Sequence, residues 1–200
     1  MKDGGSVAPS TPDGTSSTES FFTNLNEITS DPATTFEQKI SRILAIGCRY
    51  LSLEFGILAE IEDSTYRIVR AHSPDDSLRP GQTFSVSDTF CEETIVSASP
   101  VGFTRASGSR WERHPAYRSF PLEAYLGVAI AVDTKPYGTL NYSSRSPRAA
   151  EFTEQEITIV RLMGRHAPAR LRRKRRRARR RGPRSSPRAC GGVGFVRLRN

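Results

Sequence analysis

Acidic residues are absent from the last 35 residues of this 200-residue chain, where 14 Lys and Arg stand unopposed. Up to Arg165 there are 16 Lys and Arg against 21 Asp and Glu, so the formal net charge of +9 divides into −5 (16 − 21) and +14 (14 − 0). The main body is mildly acidic, and all the basicity is tail. Cysteine is scarce too: Cys48, Cys91 and Cys190 are far apart and odd in number, without the paired spacing that a disulfide framework or a zinc site needs. A reducing compartment follows. No apolar run approaches the roughly 18 residues of a membrane span, and the opening MKDGGSVAPSTPDG has no apolar segment of a secretory signal, so the expected location is cytoplasmic. There is no Gly-Lys-Ser/Thr loop and no Gly-x-Ser-x-Gly elbow. The three histidines lie far apart, and the acids fall mostly in turns and helix starts. These absences favour a binding module over an enzyme and name no cofactor and no metal.

Apolar residues make up 36% of the chain, a low share, with the deficit concentrated in Lys2 to Ser20 and Arg165 to Arg188. The expected organisation is a disordered or weakly helical leader over 1–33, one domain over 34–165, and an Arg-rich disordered tail over 166–200. RRKRRRARRRGPRSS offers counterion release to nucleic acid or an anionic membrane surface. Its composition is also what a GC-rich gene read out of frame produces, so an accidental or truncated C-terminus is expected rather than an evolved basic arm.

The most regular stretch is YLGVAIAVDTKPYGTLNYSS, Tyr125 to Ser144. Leu126 to Val132 and Tyr137 to Tyr142 read as an antiparallel hairpin around Asp133-Thr134-Lys135-Pro136. Leu126, Val128, Ile130 and Val132 share one face; Gly127, Ala129 and Ala131 leave the other almost bare. Upstream, Phe21, Phe22, Leu25 and Ile28 mark a helix start. A helix follows Asp31-Pro32, with Thr34 and Glu37 spaced as a capping box, a stripe from Phe36 to Leu51, and an end near Leu53. Phe55 to Ile61 and Tyr66 to Ala71 form a second hairpin. A short strand covers Thr83 to Val86, and Ser87-Asp88 stand where they cap a helix running to about Ala98. Pro100 to Thr104 is a further strand, Ala106 to Leu122 is irregular and aromatic, and Thr153 with Glu156 opens a last helix. The order predicts an α+β domain with one antiparallel sheet and helices mainly on one face.

The stretches FEQKISRILAIGCRYLSLEFGILAEIEDSTYRIV, VSDTFCEETI, HPAYRSFPLEAYLGVAIAV, YGTLNYSS and AEFTEQEITIVRLM, in this order, resemble a GAF domain of bacterial and archaeal sensor proteins and signalling histidine kinases. The likeness covers about Phe36 to Met163. It implies a PAS-like fold with a central five- or six-stranded antiparallel sheet and N- and C-terminal helices packed on one face as a dimer interface. A small-molecule pocket is implied between the other face and the connecting segments. Members bind cyclic nucleotides, bilins, haem or small metabolites. This chain lacks the Asn-Lys-Phe-Asp-Glu signature of cyclic-nucleotide binders, the phytochrome-type bilin context, and kinase machinery. The implied function is a sensory module that binds a small molecule and passes its occupancy through the terminal helices, as a homodimer, with a sensor histidine kinase lacking its kinase domain as an implied origin.

Candidate ligand contacts are Cys91, Trp111, His114, Tyr117, Tyr125, Ala129, Thr139 and Asn141. Cys91 falls in a first helical turn, which lowers a thiol pKa, but adjacent Glu92 and Glu93 and a face shared with Ile95 and Ala98 fit a buried structural thiol better. Trp111, His114, Tyr117 and Tyr125 either line a pocket over the bare Gly127, Ala129 and Ala131 face or pin a loop by aromatic packing. Thr139 and Asn141 either hydrogen-bond a ligand or face solvent. The alternatives are a nucleic-acid-associated protein using the tail and a thiol redox switch at Cys91; a sulfoxide reductase of this family needs clustered cysteines.

Overall fold

The computed structural model describes residues 14–132 and 134–166. The leader's first residues and nearly all of the basic tail lie outside them. No helix among the described residues is long and apolar enough to cross a membrane.

Helix α1, Gly14–Ser30, is longer than the start marked by Phe21 to Ile28; its Phe21, Leu25 and Ile28 are buried, and the Phe21 ring sits 4.8 Å from that of Tyr50. Helix α2, Phe36–Leu51, begins one residue later than the Thr34/Glu37 spacing predicts. The Thr34 hydroxyl is taken by the Asp31 carboxylate, which also accepts the Ala33 N–H at 2.9 Å. Thr35 therefore closes the box: its hydroxyl accepts the Gln38 N–H at 3.2 Å, and Gln38 Oε1 accepts the Thr35 N–H at 2.9 Å. Ser52, left-handed at φ 53°, stops the helix.

Strands β1, Phe55–Glu62, and β2, Thr65–His72, pair as a hairpin. A bulge at Val69 changes the phase, so that Val69 packs with the helix-side core and Ala71 with the opposite face. Strand β3, Thr83–Ser85, is followed by a 3-10 turn over Val86–Asp88 and by α3, Cys91–Val96. Asp88 does not cap α3. Thr89 between them is extended, its hydroxyl donating to the Val86 carbonyl at 2.8 Å, and this separates the turn from a helix shorter than predicted. Next come β4, Val101–Phe103, a 3-10 turn over Arg110–Arg113, and α4, Pro115–Ser119. Strands β5, Ala124–Val132, and β6, Lys135–Ser144, lead to α5, Glu154–His166. The Thr153 hydroxyl accepts the Glu156 N–H at 3.2 Å, and Glu156 Oε2 accepts the Thr153 N–H at 2.8 Å, the predicted box.

The fold is α+β: six antiparallel strands in the order β3-β2-β1-β6-β5-β4. Leu58, Leu126, Val128, Ile130, Leu140 and Tyr142 face α2 and α5, with α1 packed on α2, and form the main core. Gly47 makes room for this packing. A Cβ there would stand 2.3 Å from the Tyr142 hydroxyl, which is directed at the Ile43 carbonyl of α2 at 3.5 Å and the Met163 sulfur of α5 at 3.4 Å. Phe55, Ile57 and Ala59 of β1, Tyr125 of β5, and Thr139, Asn141 and Ser143 of β6 turn to the other face, under the chain between His72 and Ala124.

Candidate ligand chamber

On that second face the register aligns Phe55 with Ser143 and Ile57 with Asn141 across β1 and β6, and Tyr125 with Ser143 across β5 and β6. With Tyr66 and Ile68 of β2 they form the floor of a cavity of about 470 Å³, a volume suited to a small molecule. Its cover is Leu78, Gln82, Phe84 and Phe90, then Ala116 and Phe120 to Leu122. The cover folds over the sheet because its apolar side chains find burial only there: the Phe84 and Phe120 rings meet edge-on at 5.2 Å. Arg145 stands at the rim with its side chain 54% exposed, 2.9 Å from Asp75, 3.8 Å from Glu54, and over the Phe55 ring.

The floor holds one polar cluster. Cys91 Sγ accepts hydrogen bonds from Thr139 Oγ1 at 3.2 Å and Asn141 Nδ2 at 3.4 Å, and lies 3.4 Å from the Tyr125 hydroxyl. The Thr94 hydroxyl donates to the Phe90 carbonyl at 3.2 Å, so at its 2.8 Å contact with Tyr125 it must accept the tyrosine proton. That leaves the Tyr125 oxygen to accept the thiol proton. The network is thus built around a neutral thiol, in keeping with the direction in which burial pushes the Cys91 pKa, upward against the hydrogen bond from Thr139. Burial likewise raises the phenols of Tyr66 and Tyr125, which remain donors at neutral pH. Cys91 is 3% exposed.

The eight residues singled out from sequence do not form one set. Cys91, Tyr125 and Asn141 line the chamber. Thr139 is fully buried and reaches Cys91, so neither it nor Asn141 faces solvent: the cover makes this an inner face. Trp111, His114 and Tyr117 hold the cover without lining the cavity. Trp111 stacks on Phe103 at 4.8 Å, and the His114 ring lies 5.1 Å from that of Phe90. His114 Nδ1 caps α4 by accepting the Ala116 N–H at 3.1 Å. Tyr117 donates to Glu123 Oε1 at 2.6 Å, and that carboxylate also accepts the N–H groups of Ala106 and Ser107. Burial works against the Glu123 charge, but the bonds from Tyr117 and Ser107 outweigh it and lower its pKa.

The space expected over Gly127, Ala129 and Ala131 is not the chamber. Tyr125 folds its ring over Gly127, while Ala129 and Ala131 are exposed and border a separate groove with Ser97 to Pro100, Arg161 and Arg165. Pairing with β4 ends at Gly127, and among the described residues no segment buries Ala129 or Ala131. The residues that sequence reading missed, Phe55, Ile57, Tyr66, Phe84, Phe90 and Arg145, come from three strands and two connecting segments whose convergence no local pattern reports.

A family model described as a GAF domain matches residues 33–169. Among solved structures, the GAF domain from a phosphoenolpyruvate-protein phosphotransferase of Coxiella burnetii is 14% identical, with a TM-score of 0.65 over 82% of this chain and 98% of that one. The chromophore-binding domain of an unusual bacteriophytochrome from R. palustris is 9% identical, with a TM-score of 0.64 over 84% of this chain and 64% of that one. Free methionine-R-sulfoxide reductase from Neisseria meningitidis, solved with its substrate, is 11% identical, with a TM-score of 0.62 over 86% and 99%. At these identities the likeness is one of fold. No curated protein matches the sequence.

Proposed function

The chain belongs to the GAF domain family, and from that premise we propose that its chamber takes up a small molecule and that α1, α2 and α5 carry the occupancy to a partner, in signal transduction and as a homodimer. The observation that carries this reading is the cavity of about 470 Å³ with an apolar wall and one polar cluster in its floor. The route to the helices is one strand thick. Asn141 points into the chamber, while the next residue, Tyr142, contacts α2 and α5 through its hydroxyl. A ligand that shifts β6 therefore shifts the packing of both helices.

Native mass spectrometry of the full chain tests uptake and subunit count together. A retained small molecule is expected in the wild type and none in Ser143→Phe, which directs a ring from the floor into the cavity. In thermal melts a ligand at a hundred times its dissociation constant should stabilise the wild type by about 2.7 kcal/mol. No retained mass and no ligand-dependent shift across a metabolite panel would refute the reading. The thiol-switch alternative has less support, because Cys91 is 3% exposed in a network arranged for the neutral thiol. The tail that would bind nucleic acid lies outside the described residues.

A further inference from the structure

Resting on the ligand-site reading above, we infer that the chamber selects an uncharged, largely hydrocarbon or aromatic molecule that carries a carbonyl-type hydrogen-bond acceptor, and rejects carboxylates and phosphates. Three observations carry this.

The first is the charge of the walls. Among the described residues lining the chamber the only ionised side chain is Arg145. Asp75 and Glu54 already engage it at 2.9 and 3.8 Å, so the rim carries two carboxylates for one guanidinium. An anion entering the cavity meets a net negative rim and then finds no cation inside. Burying an unpaired charge is far costlier than burying a neutral polar group.

The second is the surface itself. Phe55, Ile57, Ile68, Phe84, Phe90 and Phe120 supply most of the wall, which suits flat or branched hydrocarbon.

The third is the state of the polar cluster, where the Asn141 amide donor is spent on long bonds. Asn141 Nδ2 reaches only the Cys91 sulfur at 3.4 Å and the Tyr66 oxygen at 3.5 Å, both at the long end of hydrogen bonding. Thiol sulfur is a weak acceptor. A ligand carbonyl oxygen placed between Asn141 and Tyr66 exchanges two weak bonds for two ordinary ones, a gain that a bare hydrocarbon does not obtain.

Three probes of one skeleton test this on the full chain: 2-acetylnaphthalene, 2-ethylnaphthalene and 2-naphthoate. Affinities are read by fluorescence titration, and naphthoate is scored by its displacement of bound ketone, so that attraction to the basic tail does not register. The ketone should bind about five- to tenfold more tightly than the ethyl compound, the worth of one net hydrogen bond. It should bind at least about a hundredfold more tightly than the carboxylate. Asn141→Leu should remove the ketone's advantage over the ethyl compound while leaving the ethyl compound bound. Equal binding of ketone and ethyl compound overturns the acceptor assignment. Displacement by naphthoate at or below the ketone's own dissociation constant overturns the neutral class. In either case the chamber still stands as a ligand site. Failure of all three probes to bind wild type, or binding that survives Ser143→Phe unchanged, overturns this inference, while the ligand-site reading falls only if the retained mass and the metabolite-panel shifts are absent as well.

Discussion

Replacing Gly127 with Ala isolates the contact that moved the chamber away from the bare side of β5. A Cβ at 127 would stand 2.4 Å from the Tyr125 hydroxyl oxygen and 2.7 Å from the ring carbon that bears it. To restore ordinary contact at 3.4 Å the tip of the ring must retreat by 1.0 Å (3.4 − 2.4). It has little room: Tyr125 is 2% exposed, and Phe90 and Phe103 each lie 5.7 Å from its ring centroid. The same displacement stretches its 2.8 Å bond to Thr94 beyond hydrogen-bonding range. Overpacking costs about 1–3 kcal/mol and a broken buried hydrogen bond about 1–3 kcal/mol more. Ala regains roughly 0.5–1 kcal/mol over Gly within a strand, so the expected loss is about 1–5 kcal/mol. In a Tyr125→Leu background the obstacle is gone, and Gly127→Ala should be neutral or slightly stabilising. Urea unfolding of the four proteins, with an unchanged m-value, gives the coupling energy. Equal costs in the two backgrounds, within about 0.5 kcal/mol, would refute the assignment of Tyr125 as the group that fills this face.

Native Cys91 should alkylate slowly, its rate following opening of the fold and rising sharply in denaturant, because it is 3% exposed and burial raises its pKa; fast labelling of native protein contradicts the buried network. Burial pushes Cys48 from its ordinary 9.0 up to about 12, so between those values the folded chain keeps a proton that the unfolded chain releases. Its contribution is therefore intact below about pH 9 and falls as pH rises toward 12, by up to about 1.4 kcal/mol per pH unit. Denaturant midpoints measured from pH 8 to 11 should show a shallower alkaline decline in Cys48→Ala; an unchanged decline removes Cys48 as a cause. Arg148 pairs with Glu156 at 2.8 Å and lies 4.3 Å over Phe152, both partners being mostly buried. Arg148→Ala should cost about 3–5 kcal/mol and Arg148→Met clearly less, since Met keeps the contact with Phe152. Equal losses in urea would assign the whole effect to the charge.

Periodic elements were legible because one face of each is apolar at a fixed spacing. The alternation of Leu126, Val128, Ile130 and Val132 identified β5 and its core side, and all four are buried against the helices. Where two frames satisfied the same local rule, a contact outside the pattern chose between them. Thr34 with Glu37 and Thr35 with Gln38 are equally good capping pairs on paper, and Asp31 decides by occupying Thr34. Asp88 failed as a cap because Thr89 closes the turn before it.

The chamber was harder to read than its scaffold, since a sheet face becomes a cavity only through what covers it. The cover here comes from residues 77–90 and 116–122, where the sequence has turns and aromatics but no long period. The floor nevertheless left a signal that comparison of neighbouring strands exposes. Thr139, Asn141 and Ser143 are polar at alternate positions of β6, which alone reads as an amphipathic strand facing water. Their register partners Ala59, Ile57 and Phe55, with Ile68 one strand further, are apolar on that same face. A face that meets solvent has no reason to be apolar on two strands and polar only on the third between them and Tyr125. Three buried polar residues in an apolar surround need partners. Here Cys91 accepts from Thr139 and Asn141, and the Ser143 side chain lines the cavity that the ligand is proposed to enter.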